Sequence, residues 1–485
     1  MLPYSFSKTQ GVLLHKIDDT TQLWIHSGTS LSATQEARRY VNAPLKIIKV
    51  PEHQFNLELQ RIYHDGSANA MQEMEELDDN ELTELSELVP ETEDLMDSTD
   101  DAPIIKLINA ILTEAIKEQA SDIHIEPFEE RLRVRFRVDG ILREVLTLQK
   151  SLASLVVSRI KVMAKLDIAE KRLPQDGRIS LKVAGHGIDL RISTLPSGHG
   201  ERVVMRLLDK QAGRMDVSSM GMLEADQQRF SELLNHPHGI ILVTGPTGSG
   251  KTTTLYAGLT QLNQTERSIM TIEDPIEYHL DGISQTAVNS KIEMDFSRGL
   301  RAILRQDPDI VMIGEIRDSE TAQIAVQSSL TGHLVLSTLH TNTAVGAIAR
   351  LIDMGIEPFL LSSSLLGVLA QRLVRTLCPE CKTPYQADNT CIAEMNLQPQ
   401  ELPLTLYKPV GCPKCYQQGY QGRMGIYELI QIDAAMRNGI HNHVSATELE
   451  KIARQQTYSI RHNGFEQVKK GVTSLDEILR VTKED

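Results

Sequence analysis

The chain has 485 residues, and because single hydrophobic cores stop growing at roughly 250–300 residues it is expected to divide into several domains. Its 41% apolar and 24% charged residues are ordinary for a globular protein, and no run approaches the ~18 apolar residues of a membrane-spanning helix. The net charge of −15 argues against nonspecific binding of DNA, yet fourteen acidic residues lie between 73 and 101 and the remainder is close to neutral, so the acidity describes one segment.

The first residues, Met1-Leu2-Pro3-Tyr4-Ser5-Phe6, lack the basic start and apolar run of a secretory signal, and a cytoplasmic protein is expected. Short apolar runs around Val12, Trp24 and Ile47 alternate with polar turns and predict a small α/β module over 1–70 with no catalytic motif. The acidic stretch 71–101 places Met74, Leu77, Leu85 and Leu88 at helical spacing among its carboxylates, which reads as a solvated linker with one amphipathic helix. A second domain, 102–212, opens with a helical face at Ile104, Leu107, Ile108, Ile111, Leu112 and Ala115. Strand alternation over 132–138 ends in the hairpin signal Asp139-Gly140, and strands at 188–192 and 203–208 flank a loop over 195–202.

The third domain, 216–485, carries the chemistry. The buried-strand signal 240–244 leads into Gly245-Pro246-Thr247-Gly248-Ser249-Gly250-Lys251-Thr252 and a helix from Thr253 to Leu262, the strand, loop and helix context that the pattern G-x4-G-K-[ST] demands. The glycines let backbone N–H groups turn inward around phosphates, Lys251 neutralises their oxygens, and the Thr252 hydroxyl is placed to ligate Mg²⁺. The strand 310–313 ends in Gly314-Glu315, where metal or attacking water would be managed, and Thr271-Ile272-Glu273-Asp274-Pro275-Ile276-Glu277 is another strand end whose Glu273 is a candidate to orient or deprotonate water. His333 and His340 flank one strand, 334–339, and are candidates to contact the γ-phosphate.

All five cysteines lie between 378 and 415, a clustering that suits a metal site in a reducing compartment better than disulfides. Cys378-Pro379-Glu380-Cys381 and Cys412-Pro413-Lys414-Cys415 are two C-x2-C corners whose four thiolates complete a closed, structural Zn²⁺ site and leave Cys391 inert. The basic stretch before them, 371–377, reads as a solvated helix face or a docking surface.

The motifs 245–252, 271–278, 310–315 and 331–341 resemble the four nucleotide-site boxes of the secretion ATPase superfamily, the motors of type II secretion and type IV pili, over roughly residues 100–485. Gly314 is then that family's own pattern. The resemblance implies an α/β, multidomain P-loop fold: a RecA-like core, a PAS-like second domain and a zinc-binding insertion at 378–415. It implies that His333 and His340 report hydrolysis, that Arg191 and Arg206 complete the nucleotide site, and that Arg301, Arg305 and Arg317 lie at the site or at subunit contacts. The signature Ala120-Ser121-Asp122-Ile123-His124-Ile125-Glu126-Pro127 is assigned to the fold.

The tetracysteine module is similar to that of secretion and pilus extension motors, and the short N-terminus, without an Arg-Leu-Gly repeat, is similar to the type II secretion form. That form implies a homo-hexamer on the cytoplasmic face of the bacterial inner membrane, hydrolysing Mg-ATP to drive pseudopilus assembly and the export of folded proteins across the outer membrane. Its expected partners are the cytoplasmic domain of the inner-membrane assembly protein (L component) and the platform protein (F component), with no nucleic acid. A type IV pilus extension ATPase and a nucleotide-gated assembly scaffold are the alternatives.

Overall fold

A computed structural model describes residues 6–59, 103–209 and 216–483, apart from 8–9, 18–19, 27, 41–45, 52, 56–57, 184–185 and 399–400. The linker and amphipathic helix expected over 71–101 lie outside the described residues. The chain divides into two compact units, Met1–Lys210 and Gln211–Asp485.

In the first unit, strands β1 (Val12–Ile17) and β2 (Thr20–Ile25) pair antiparallel, and β3 (Lys46–Lys49) joins β2 in parallel after helix α1 (Leu31–Tyr40). Val12, Leu23, Ala33 and Ala37 are buried between sheet and helix. The helical face read from Ile104 becomes α2 (Pro103–Lys117). Strands β4 (Asp122–Pro127), β5 (Arg131–Val138), β6 (Ile141–Gln149), β7 (Gln175–Val183), β8 (His186–Ser197) and β9 (Gly200–Asp209) then form an antiparallel sheet of order β6-β5-β4-β9-β8-β7. Period-two alternation sends Leu132, Val134 and Phe136 into a core shared with α2 and α3 (Leu152–Met163), while Arg133, Arg135 and Arg137 take the other face. Strands β8 and β9 run on until Ser197 pairs with Gly200, so the loop expected over 195–202 shrinks to two residues.

The second unit is built on a seven-stranded sheet. Its parallel members are β10 (Gly239–Thr244), β11 (Ile269–Glu273), β12 (Ser284–Ala287), β13 (Ile310–Ile313), β14 (Leu334–Leu339) and β15 (Leu365–Leu377). Two short strands, β16 (Thr383–Gln386) and β17 (Thr405–Lys408), pair only with each other, and β18 (Tyr420–Gln431) returns to complete the large sheet in the order β12-β11-β13-β14-β10-β15-β18. The continuous apolar run of β10 is buried on both faces, as a central parallel strand must be: Ile240 and Leu242 belong to one core cluster, Ile241 and Val243 to the other. Helices α4 (Glu224–Leu234) and α5 (Lys251–Leu262) contribute Leu233, Leu234, Leu255 and Leu259 to the second of these.

One expectation is corrected. Residues 371–377 are neither a helix face nor a free docking surface but the second half of β15, paired antiparallel with β18. Val374 is fully buried, and Arg375 spends its charge on Glu477 at 2.7 Å with its guanidinium 3.9 Å over the Tyr420 ring. In a short alternating segment the partners of the basic side chains lie elsewhere in the chain, and periodicity alone does not reveal them.

Candidate active site

The parallel strands β10, β11, β13 and β14 deliver their chemistry at one edge of the sheet, the C-terminal ends where open α/β sheets bind ligands. After β10 the chain turns through Gly245, at φ +146°, whose added Cβ would press into the Gln371 carbonyl oxygen, so only glycine lets the loop start this close to β15. Gly250, at φ +87°, opens α5, and Lys251 and Thr252 occupy its first turn. The ammonium of Lys251 is held by the loop's own carbonyls, Gly245 at 2.9 Å and Pro246 at 3.2 Å, groups that phosphate oxygens would replace. Burial lowers its pKa and Glu315 partly restores it. Ser249 has a buried hydroxyl with no hydrogen-bond partner among the described residues, and the exposed Thr252 hydroxyl likewise makes no hydrogen bond there. A glycine-rich loop with a buried cation and two unengaged hydroxyls at a helix N-terminus fits a nucleoside phosphate and its Mg²⁺.

His340 links this loop to the acid at the end of β13. Its Nδ1 lies 3.5 Å from Lys251 Nζ and its Nε2 lies 3.0 Å from Glu315 Oε2. Arg317 pairs with the other oxygen of Glu315, whose side chain is only 13% exposed. The Thr244 hydroxyl accepts the Thr341 N–H at 3.0 Å, tying the end of β10 to the residue after His340.

The other expected residues are not all brought to this place. Glu273 is 2% exposed and wrapped by three donors: the Tyr256 hydroxyl, Thr271 Oγ1 at 2.6 Å and Gln285 Nε2 at 3.0 Å. Burial and the Glu273 charge raise the pKa of Tyr256, and they push Tyr278 up to about 12. His333 bonds the Ser328 carbonyl at 2.9 Å and, at the opposite end of β14 from His340, stands roughly 20 Å along the strand from the phosphate loop. Thr253 sits half-buried on α5. Arg301 pairs with Glu320 at 2.6 Å on the surface.

In the first unit, Arg191 and Arg206 lie directly opposite each other on β8 and β9, hence on one sheet face. Arg206 is held by Asp122 at 2.9 Å, so the signature assigned to the fold also orients a candidate site residue. Motif reading missed Asp122, Tyr256, Gln285 and Gln371 as supports, because each acts on a residue remote in sequence.

The four expected cysteines do converge. Their Sγ atoms lie within 4.8 Å of one another, with Cys378 to Cys412 at 3.9 Å, Cys381 to Cys415 at 3.8 Å and Cys412 to Cys415 at 3.7 Å. A tetrahedron of Zn–S bonds of ~2.3 Å has an edge of roughly 3.8 Å. Backbone amides of Gly411, Cys412 and Gly419 point at Cys381 and Cys415, the donors that thiolate ligands use. Cys391 is apart from them, buried beside Tyr385 at 3.7 Å.

Residues 97–480 match the family described as Type II/IV secretion system protein, and residues 1–63 match a domain family described under GSPII protein E. The chain is 60% identical over its whole length to the type II secretion system protein E of Pseudomonas aeruginosa, covering 96% of that protein. It is 58% identical, again over its whole length, to the type II secretion system ATPase E of Vibrio cholerae, covering 97% of it. Among solved structures, the pilus retraction motor PilT with bound ADP is 26% identical, with a TM-score of 0.53 over 77% of this chain and 96% of that one. The Legionella pneumophila ATPase DotB shares the fold at 19% identity, with a TM-score of 0.59 over 83% of this chain and all of that one.

Proposed function

The chain belongs to the family of type II/IV secretion system proteins, and from that membership we propose that it is the ATPase motor of a type II secretion system, with Glu315 as the residue that receives the proton of the attacking water. The observation that carries the assignment of Glu315 is the arrangement at the sheet edge, where one largely sheltered carboxylate, gripped by Arg317 and His340, stands beside the cation of the phosphate loop. Glu273, enclosed by Tyr256, Thr271 and Gln285, supports the site by holding α5 against β11.

In the reaction the loop amides and Lys251 bind the β- and γ-phosphates, and Glu315 orients water in line with the γ-phosphorus. As the new P–O bond forms and the bond to the bridging oxygen breaks, the proton passes to Glu315 and ADP carries away the released electron pair. Thr252 is the residue that would hold Mg²⁺, which would supply neutralisation of phosphate charge when bound. His340, within reach of both Lys251 and Glu315, senses whether the γ-phosphate is present. Arg191 and Arg206 supply positive charge to the transferring phosphoryl group.

The match of residues 1–63 to a domain of GSPII protein E favours the secretion machine over pilus extension. The role of this segment is to recruit a hexamer of the chain to the cytoplasmic domain of the inner-membrane L component; the platform F component is a further partner, and turnover drives pseudopilus growth. No helix among the described residues is long and apolar enough to cross a membrane, which is consistent with recruitment by partners.

The test is a pair of variants of the full chain. Lys251→Ala is expected to lose binding of a fluorescent ADP analogue, and Glu315→Gln to keep binding but lose at least about 100-fold in turnover. Turnover undiminished in Glu315→Gln would remove it from the role of base.

A further inference from the structure

Behind the phosphate loop, one polar side chain from a neighbouring strand reaches the first turn of its helix. Gln371 lies on β15, one residue beyond the pairing of Ala370 with Thr244, and is 2% exposed. Its Oε1 accepts the Thr254 hydroxyl at 2.6 Å, whereas the same hydroxyl is 3.3 Å from the Gly250 carbonyl in its own helix. Its Nε2 stands so near Gly250 that a Cβ there would be 2.9 Å away, and its backbone carbonyl closes on Gly245. One residue therefore meets the first glycine of the loop, the last glycine, and the helix just beyond.

The choice made by Thr254 has a mechanical meaning. A threonine that bonds back to the carbonyl four residues earlier competes with the helix and bends it. The shorter bond, to Gln371, draws the hydroxyl away from the Gly250 carbonyl, which accepts the Thr254 amide at 3.1 Å and keeps the helical hydrogen bond of the first turn. On β18, directly across from Gln371, the buried Tyr427 closes the other side of the contact, its hydroxyl bonded to the Met220 carbonyl at 3.1 Å.

We infer that Gln371 is a positioning residue of the nucleotide site, acting through Thr254 and the two loop glycines to hold the phosphate-binding amides in register. The inference rests on the reading of 245–252 as the nucleotide loop. It also places that register on the strand which, at its other end, delivers Cys378 to the cysteine cluster.

The experiment uses the full chain, a fluorescent ADP analogue for affinity, steady-state ATP hydrolysis for KM and kcat, and thermal melting. Gln371→Met preserves length and burial and removes both polar atoms. It is expected to weaken analogue binding and raise KM by about tenfold, the effect of one buried hydrogen bond, with kcat at saturation changed much less. Thr254→Val is expected to reproduce that loss from the other side of the bond, Thr254→Ser to restore wild-type affinity, and the double variant Gln371→Met with Thr254→Val to be no worse than either alone. Wild-type affinity in Gln371→Met, or additive losses in the double variant, would overturn the inference while leaving the site reading intact. Binding that survives Lys251→Ala in the same assay overturns both.

Discussion

At Glu273 three donors converge on a carboxylate that solvent barely reaches, and the donors come from three different elements: Tyr256 on α5, Thr271 on β11 and Gln285 on β12. Such a group is expensive to leave partly unmet, since a buried acceptor that loses its partner forfeits about 1–3 kcal/mol. Tyr256→Phe is expected to destabilise the second unit by about that amount while turnover per folded molecule changes less than in Glu315→Gln; denaturant unfolding beside an ATPase assay separates the two. The histidines make the complementary point. His340→Asn breaks the link between Lys251 and Glu315 and is expected to lower kcat at least about tenfold, whereas His333→Asn is expected to leave analogue binding by the isolated chain unchanged. Equal loss of binding in both variants would dissolve the distinction drawn from their places at opposite ends of β14.

The elements differ in how far their roles can be read in advance. The phosphate loop is legible because its chemistry requires consecutive residues in a fixed order between a strand and a helix, and the C-x2-C corners because two ligands must share one turn. Gln371 is not legible: its partner Thr254 is 117 positions away, and nothing local marks a glutamine in an apolar strand as the back wall of a loop. Two histidines flanking a strand look equivalent in sequence, although a strand has two ends and only His340 lies beside Lys251. The antiparallel ribbon of β15 and β18 was hidden for a similar reason, since the acid that accepts its basic residue belongs to the final helix, α6 (Leu475–Val481). There, burial pushes the Glu477 carboxyl up, but Arg480 and Arg375 outweigh it and hold the group below the usual carboxylate range. A depressed carboxylate stabilises the fold above its unfolded pKa, and that contribution is lost as pH falls through the folded value. Glu477→Gln is therefore expected to cost about 3 kcal/mol at neutral pH, and the gap between its thermal midpoint and the wild type's to narrow only as pH falls below the unfolded carboxylate value of about 4.3. A gap that fails to narrow on acidification below that value would contradict the charge argument.

For the molecule as a whole, the cysteine cluster predicts that purified chain carries one zinc per subunit. Cys412→Ser is expected to lose the metal by elemental analysis and to lower the unfolding midpoint, because metal affinity in a structural site is folding free energy. Metal content unchanged in that variant would remove Cys412 from the ligand set. The ribbon gives this cluster a further significance. Leu377 pairs with Tyr420, and the Cys378 amide reaches the Gly419 carbonyl at 3.0 Å, so thiols 34 positions apart meet only when β15 and β18 zip in this alignment. A slip of one residue would carry Cys378 some ~3.3 Å along the ribbon and turn its side chain to the opposite face. Mispaired chains would then not bring the four thiols together, so convergence of the cluster is a readout of correct pairing along the ribbon.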